Sequence, residues 1–198
     1  MDARITYYFS LISPWTYLGD GRLRDIAAKH GAAIAYRPMQ LRKVFPVSGG
    51  LPLPKRAPQR QEYRLIELKR WSGFLDIPLN LKPKFFPADE TKAACMVTAL
   101  NVQGEDPGAF VGAVLGAVWT REMDIADTHT LRQLAGEVGL DGDALLARAE
   151  DPAVRDAYQG YTDEAIAAGV FGAPFYVLED EKFWGQDRLD FLERALTR

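Results

Sequence analysis

Ile5-Thr6-Tyr7-Tyr8-Phe9 runs almost directly into Ser13-Pro14-Trp15-Thr16-Tyr17, and a helical pattern follows. The first run is apolar on both of its alternating faces, so residues 4–10 read as a strand buried on both sides of a sheet. Ser-Pro at its end reads as the opening of a helix, with Ser13 as N-cap and Pro14 at the first helical position. Leu18, Leu23, Ile26 and Ala27 share one face of a helix over residues 14–30, and Gly31 ends it. Residues 33–39 form a second strand, parallel to the first through a right-handed crossover.

Working outward, Pro46, Gly49, Gly50, Pro52, Pro54 and Pro58 mark residues 42–58 as a long loop. Only helices are expected after it, over residues 59–76, 89–103, 107–121, 128–138, 141–149 and 152–168. Strand character returns at residues 174–178. A turn at 179–182, a short strand at 183–184 and a last helix over 186–197 close the chain. A βαβ unit thus opens the sequence and a ββα unit ends it. This is an α/β, thioredoxin-like topology with a large all-helical insertion. The expected organisation is a thioredoxin-like domain of residues 1–57 and 169–198 around a helical domain of residues 58–168.

The composition narrows the function. A net charge of −3 with no long basic run argues against a nucleic-acid partner. No stretch is apolar for long enough to span a membrane as a helix. Cys95 is the only cysteine and His30 and His129 the only histidines, which forbids an internal disulfide and disfavours a Cys/His metal site. Met1–Arg4 lacks an apolar run of signal-peptide type. A cytoplasmic protein without a bound metal is expected.

Three motifs can carry chemistry, and each also has a purely structural reading. Ser13 is an N-cap, or it donates a hydrogen bond to a bound anion at the positive end of a helix. A serine nucleophile is disfavoured, because no histidine is near in sequence and no Gly-x-Ser-x-Gly elbow is present. Pro174, in Gly172-Ala173-Pro174, is an edge-strand start, or a cis-proline whose neighbour Ala173 offers its backbone to an extended peptide. Gln186 and Asp187, in Trp184-Gly185-Gln186-Asp187-Arg188, cap the last helix, or they bind a zwitterion through backbone N–H groups and the Asp187 carboxylate.

The order of elements and these three motifs resemble the 2-hydroxychromene-2-carboxylate isomerases, relatives of the kappa-class glutathione transferases and of the DsbA-type thiol oxidases. The resemblance covers nearly the whole chain. It implies that Ser13 replaces the nucleophilic cysteine of a Cys-x-x-Cys oxidase and Thr16 the second one, which removes disulfide exchange. It implies glutathione as cofactor, with Ser13 at its sulfur, Ala173 and Pro174 beside its cysteinyl backbone, Gln186 and Asp187 at its γ-glutamyl group and Arg60 at its glycine carboxylate. Relatives carry an asparagine in the loop before that arginine, whereas residues 51–56 here have none; Lys55, Arg56 or Arg60 would substitute by charge. Trp15, Phe85 and Trp184 are candidates to line the substrate pocket. The implied reaction interconverts 2-hydroxychromene-2-carboxylate and trans-o-hydroxybenzylidenepyruvate, a small aromatic keto acid. A kappa-like glutathione transferase and a non-catalytic thiol-peptide binder are the alternatives, and a homodimer is compatible with each.

Overall fold

The computed structural model describes residues 3–198. Its sheet has four strands in the order β2-β1-β3-β4. These are β1 (Arg4–Phe9), β2 (Ala33–Pro38), β3 (Phe175–Leu178) and β4 (Glu181–Trp184). β1 pairs with β2 in parallel, and with β3 in antiparallel fashion, Tyr7 standing opposite both Tyr36 and Tyr176. β4 returns antiparallel to β3.

Both faces of β1 are covered, which accounts for its unbroken apolar run. Ile5, Tyr7 and Phe9 enter the main core, where the Tyr7 ring stacks on Phe9 and on Tyr176. Tyr8 enters a second, smaller core with Met39, Val44, Ala165, Val170 and Phe175 on the opposite face. The Tyr8 hydroxyl donates to Glu164, whose other oxygen accepts from Arg37, so this face is closed by a charged clasp.

α1 (Pro14–His30) crosses from β1 to β2 and ends at Gly31 in the left-handed conformation. α3 (Pro58–Leu75), α4 (Thr91–Val102), α5 (Gly108–Trp119), α6 (Thr128–Glu137), α7 (Gly142–Ala149) and α8 (Pro152–Ala167) fall where helices were expected. Asp127, Asp141 and Asp151 cap the last three, each side chain accepting from a backbone N–H of the first turn. No described helix is long and apolar enough to cross a membrane.

Two expectations are corrected. Residues 42–58 are not a continuous loop, because α2 (Leu41–Ser48) forms there and a 3-10 turn follows at Leu53–Lys55. Pro46 is accommodated since α2 is only eight residues long, and one helical hydrogen bond is the whole loss. Val44 pins α2 to the smaller core, and α2 packs on α8. The last helix does not begin at residue 186. Gln186–Arg188 is a 3-10 turn, and α9 spans Leu189–Leu196. The turn is held by Arg22 of α1, which fixes backbone that would otherwise join the helix.

Candidate functional site

Ser13 sits at the N-cap of α1 with extended backbone, and its Oγ accepts from the Thr16 N–H at 3.2 Å. The capping expectation is therefore met by the oxygen. Among the described residues the Ser13 hydroxyl hydrogen donates to nothing, so capping and donation are compatible on one side chain. The residue is 8% exposed, at the mouth of a helix whose first-turn N–H groups create positive potential. Thr16, one turn on, is fully buried, and its Oγ1 has no hydrogen-bond partner.

The segment before Ser13 is held from a distance. Ser10 Oγ donates to Glu90 at 2.8 Å, and the Leu11 N–H donates to the same carboxylate. The Ser13 N–H in turn donates to Ser10 O at 3.1 Å. Desolvation pushes the Glu90 carboxyl up to about 7, against the hydrogen bonds that favour its charge. On α1, burial likewise pushes Asp20 up to about 6, although Arg24 lies 3.1 Å away and opposes the shift.

The Ala173–Pro174 bond is cis. Pro174 O accepts from the Gly185 N–H at 3.0 Å, which lays residues 172–174 beside residues 184–187. Ala173 N–H and C=O take no hydrogen bond among the described residues. Trp184 lies against Gly172 so closely that a Cβ there would stand 2.4 Å from the indole Nε1. The Trp184 ring also packs edge-on against Phe171, and it is half exposed.

Gln186 is buried, and its side-chain oxygen accepts from Arg22 at 3.0 Å; the same guanidinium takes the Gln186 carbonyl. Its side chain is thus spent on α1, while its N–H and that of Asp187 remain without a protein acceptor among the described residues. Asp187 is partly exposed and accepts from Arg188 at 2.8 Å. Gly185 makes the turn with φ near +100°, where a Cβ would meet Asp187 Oδ1.

Ser13, Ala173–Pro174, Trp184 and Gln186–Asp187 therefore belong to the elements around the start of α1 and the β3–β4 hairpin. Arg60 is exposed on α3, without a carboxylate partner among the described residues. Trp15 is half-buried at the second position of α1. Phe85 is half-buried beneath the Lys84 ammonium, 5.0 Å from its ring centroid. Sequence reasoning missed Glu90 and Arg22. A glutamate just before a helix, and an arginine within one, carry no local mark of a partner far along the chain.

A model of the DsbA-like thioredoxin domain matches residues 4–197. The 2-hydroxychromene-2-carboxylate isomerase of Sphingobium xenophagum is 35% identical over 198 residues, covering 99% of each chain. The chain belongs to the 2-hydroxychromene-2-carboxylate isomerase family of DsbA-like proteins. A solved 2-hydroxychromene-2-carboxylate isomerase structure superposes with a TM-score of 0.80 at 28% identity, covering 98% of this chain and 95% of that one. Glutathione S-transferase kappa 1 of Caenorhabditis elegans is 25% identical, with 98% and 91% of the two chains covered. In this isomerase-family chain the single cysteine, Cys95, is buried and far from Ser13 and Thr16 in sequence.

Proposed function

We propose that the protein is a glutathione-dependent isomerase that interconverts 2-hydroxychromene-2-carboxylate and trans-o-hydroxybenzylidenepyruvate. The observation that carries the reading is a serine hydroxyl with a free hydrogen at a helix start, in a chain that matches an isomerase along its whole length. The kappa transferase relative supports glutathione as the thiol. The residues present fit that tripeptide. Ala173 has an unpaired backbone N–H and C=O for an extended peptide, and the N–H groups of Gln186 and Asp187 are open to a carboxylate. The Asp187 carboxylate can take an adjacent ammonium, and the exposed Arg60 a further carboxylate.

When bound, glutathione supplies a thiolate able to add reversibly to a conjugated carbon and so free rotation about the double bond. The task of the chain is to keep that sulfur ionised and in place. A free thiol titrates near 8.5, and lowering it by ~2 units takes about 2.7 kcal/mol of preference for the anion. A hydrogen bond from Ser13 to a charged acceptor contributes ~1.5–3 kcal/mol, and the α1 terminus ~0.3–1 kcal/mol more. The two together are sufficient. Neither needs a base, which agrees with the absence of a histidine beside Ser13 in the sequence. A cytoplasmic setting, where reduced glutathione is abundant, belongs to the same reading.

The test is the conversion of trans-o-hydroxybenzylidenepyruvate followed by absorbance, with and without glutathione. Turnover that requires glutathione and yields no conjugate is the expected result. Conjugation of an aryl halide without isomerisation would assign the protein to the transferases. Glutathione binding with neither activity would leave a thiol-peptide binder.

A further inference from the structure

We propose that Arg64, backed by Arg56, forms a seat for the carboxylate of a flat aromatic acid, with the Phe86 ring as its apolar wall. The identity of that acid rests on the isomerase reading; the seat itself rests on the following geometry.

Arg64 is half-buried on α3. Its guanidinium carbon lies 5.5 Å from the centroid of Phe86 and 6.0 Å from that of Trp119. Two aromatic rings wall one side of it, and they pack on each other with centroids 5.1 Å apart. Guanidinium has five N–H donors and no acceptor. Among the described residues Arg64 makes neither a hydrogen bond nor an ion pair. Three other sheltered arginines, Arg22, Arg37 and Arg148, each reach a carboxylate. A partly desolvated cation without a counter-charge is costly, and a ligand anion removes that cost.

The surroundings add positive charge rather than cancel it. Arg56 precedes α3 and is anchored by its Nε to the Leu51 carbonyl at 2.8 Å. Burial first, and the Arg56 charge second, pull the Arg64 guanidinium down to about 10. Arg60 stands one turn before Arg64 and acts in the same sense on Arg56. No carboxylate pairs with any of the three among the described residues.

The ring that walls the seat packs against the same core as the segment entering α1. Phe86 lies four positions before Glu90 in the sequence, and the Glu90 carboxylate holds Ser10 and Leu11. Phe86, Leu11, Ile12 and Tyr17 share the main core. The Tyr17 hydroxyl donates to Pro78 O at 2.8 Å, which ties α1 to the segment leaving α3. A flat acid seated on Arg64 with its ring along Phe86 would therefore lie on the α3 side of the serine. The γ-glutamyl end of the tripeptide would lie on the hairpin side, at Gln186 and Asp187.

The experiment is isothermal titration of the full chain with trans-2-hydroxycinnamate and with its methyl ester, in the presence of saturating glutathione. The native protein should prefer the acid by about tenfold or more. Arg64→Met should erase that preference, Arg64→Lys should restore part of it, and Arg56→Gln should reduce acid binding by about threefold. Glutathione affinity should stay within about twofold in the two Arg64 variants. A folded Arg64→Met protein that keeps the acid preference overturns the seat. Equal loss of glutathione and acid affinity also overturns it, and assigns Arg64 to glutathione. If Arg64→Met does not fold, the comparison of Arg64→Lys and Arg56→Gln with the native protein decides: an unchanged acid-to-ester ratio in both refutes the seat. A ratio that depends on Arg64 in a protein without isomerase turnover keeps the seat and removes the isomerase reading. Turnover with an acid preference indifferent to Arg64 does the reverse.

Discussion

Ser10 and Glu90, eighty positions apart in the chain, are joined by both carboxylate oxygens, at 2.8 and 3.0 Å from the Ser10 hydroxyl. The Leu11 N–H uses the same carboxylate, so the backbone entering Ser13 is suspended from the residue that precedes α4.

Glu90→Gln tests that suspension. An amide keeps one acceptor oxygen and turns an NH2 donor toward groups that are themselves donors. We expect a loss of ~1–3 kcal/mol in stability. We also expect a fall in isomerase kcat larger than any rise in KM, because the substrate-binding residues are untouched while Ser13 is displaced. The titration near pH 7 should vanish from the variant's rate profile. A native-like profile with a native rate would confine Glu90 to a structural anchor for Ser10 and Leu11.

Ser13→Ala separates two roles of one hydroxyl. Loss of the cap alone costs ~0.5–2 kcal/mol of stability. Loss of the donor raises the pKa of bound glutathione thiol by about one unit or more, so that the rate lost at pH 7 is partly recovered at pH 9. Far-ultraviolet thiolate absorbance against pH reads the second effect, and thermal unfolding the first. We expect both. An unchanged thiol pKa with an unchanged rate would leave Ser13 as a cap alone.

Asp187→Asn should weaken glutathione binding by ~1–3 kcal/mol while the fold is kept. The carboxylate is partly exposed and pairs only with the neighbouring Arg188 among the described residues, so its removal leaves no buried group unpaired. Isothermal titration gives the answer, and unchanged affinity would confine Asp187 to turn geometry.

Asp20 and Glu90 give the fold a pH dependence opposite to that of carboxylates whose pKa an ion pair has lowered. Both are raised by burial, to about 6 and about 7. Below pH 4 they are protonated in the folded and unfolded chains alike. Between their ordinary values and the raised ones the folded chain holds protons that the unfolded chain has released. Their contribution to stability therefore falls as pH rises from about 4 to about 7. Asp20→Asn should flatten the lower part of that fall, between about pH 4 and pH 6. Urea unfolding midpoints across the range measure it, and an identical slope in the variant would refute the assignment.

Much of this architecture was legible in the residues. β1 announced itself because both its faces are buried, and α6, α7 and α8 because aspartate caps precede them. α2 was not legible: it is only eight residues long with Val44 alone fully buried, and Pro46 and Gly49 carry loop signals that its short length tolerates. The Gln186–Arg188 turn read as helix because what separates it from α9 is Arg22, far away in sequence. Ser13 and Asp187 were visible through their helix-start signatures. Glu90 was not, since its donors lie on another element. Arg64 was not, since an unpaired arginine and a solvated one are the same letter.

The attachment of Gln186 to α1 divides the molecule into a fixed half and an adjustable half. Arg22 clamps the turn, and at Gly19 a Cβ would stand 2.9 Å from the Tyr176 hydroxyl and 3.0 Å from Gln186 Cβ, so helix and turn touch without slack. Ser13 begins that same helix. The sulfur end and the γ-glutamyl end of a bound tripeptide would thus be measured against a single rigid ruler, leaving no freedom to fit a longer or shorter thiol. Among the described residues, those of 51–64 carry no such clamp to the hairpin. On the proposed reading, a designer who wished to retarget this scaffold would vary Arg64 and its aromatic wall and leave Arg60 and the ruler alone, exchanging the bound acid while keeping the bound tripeptide.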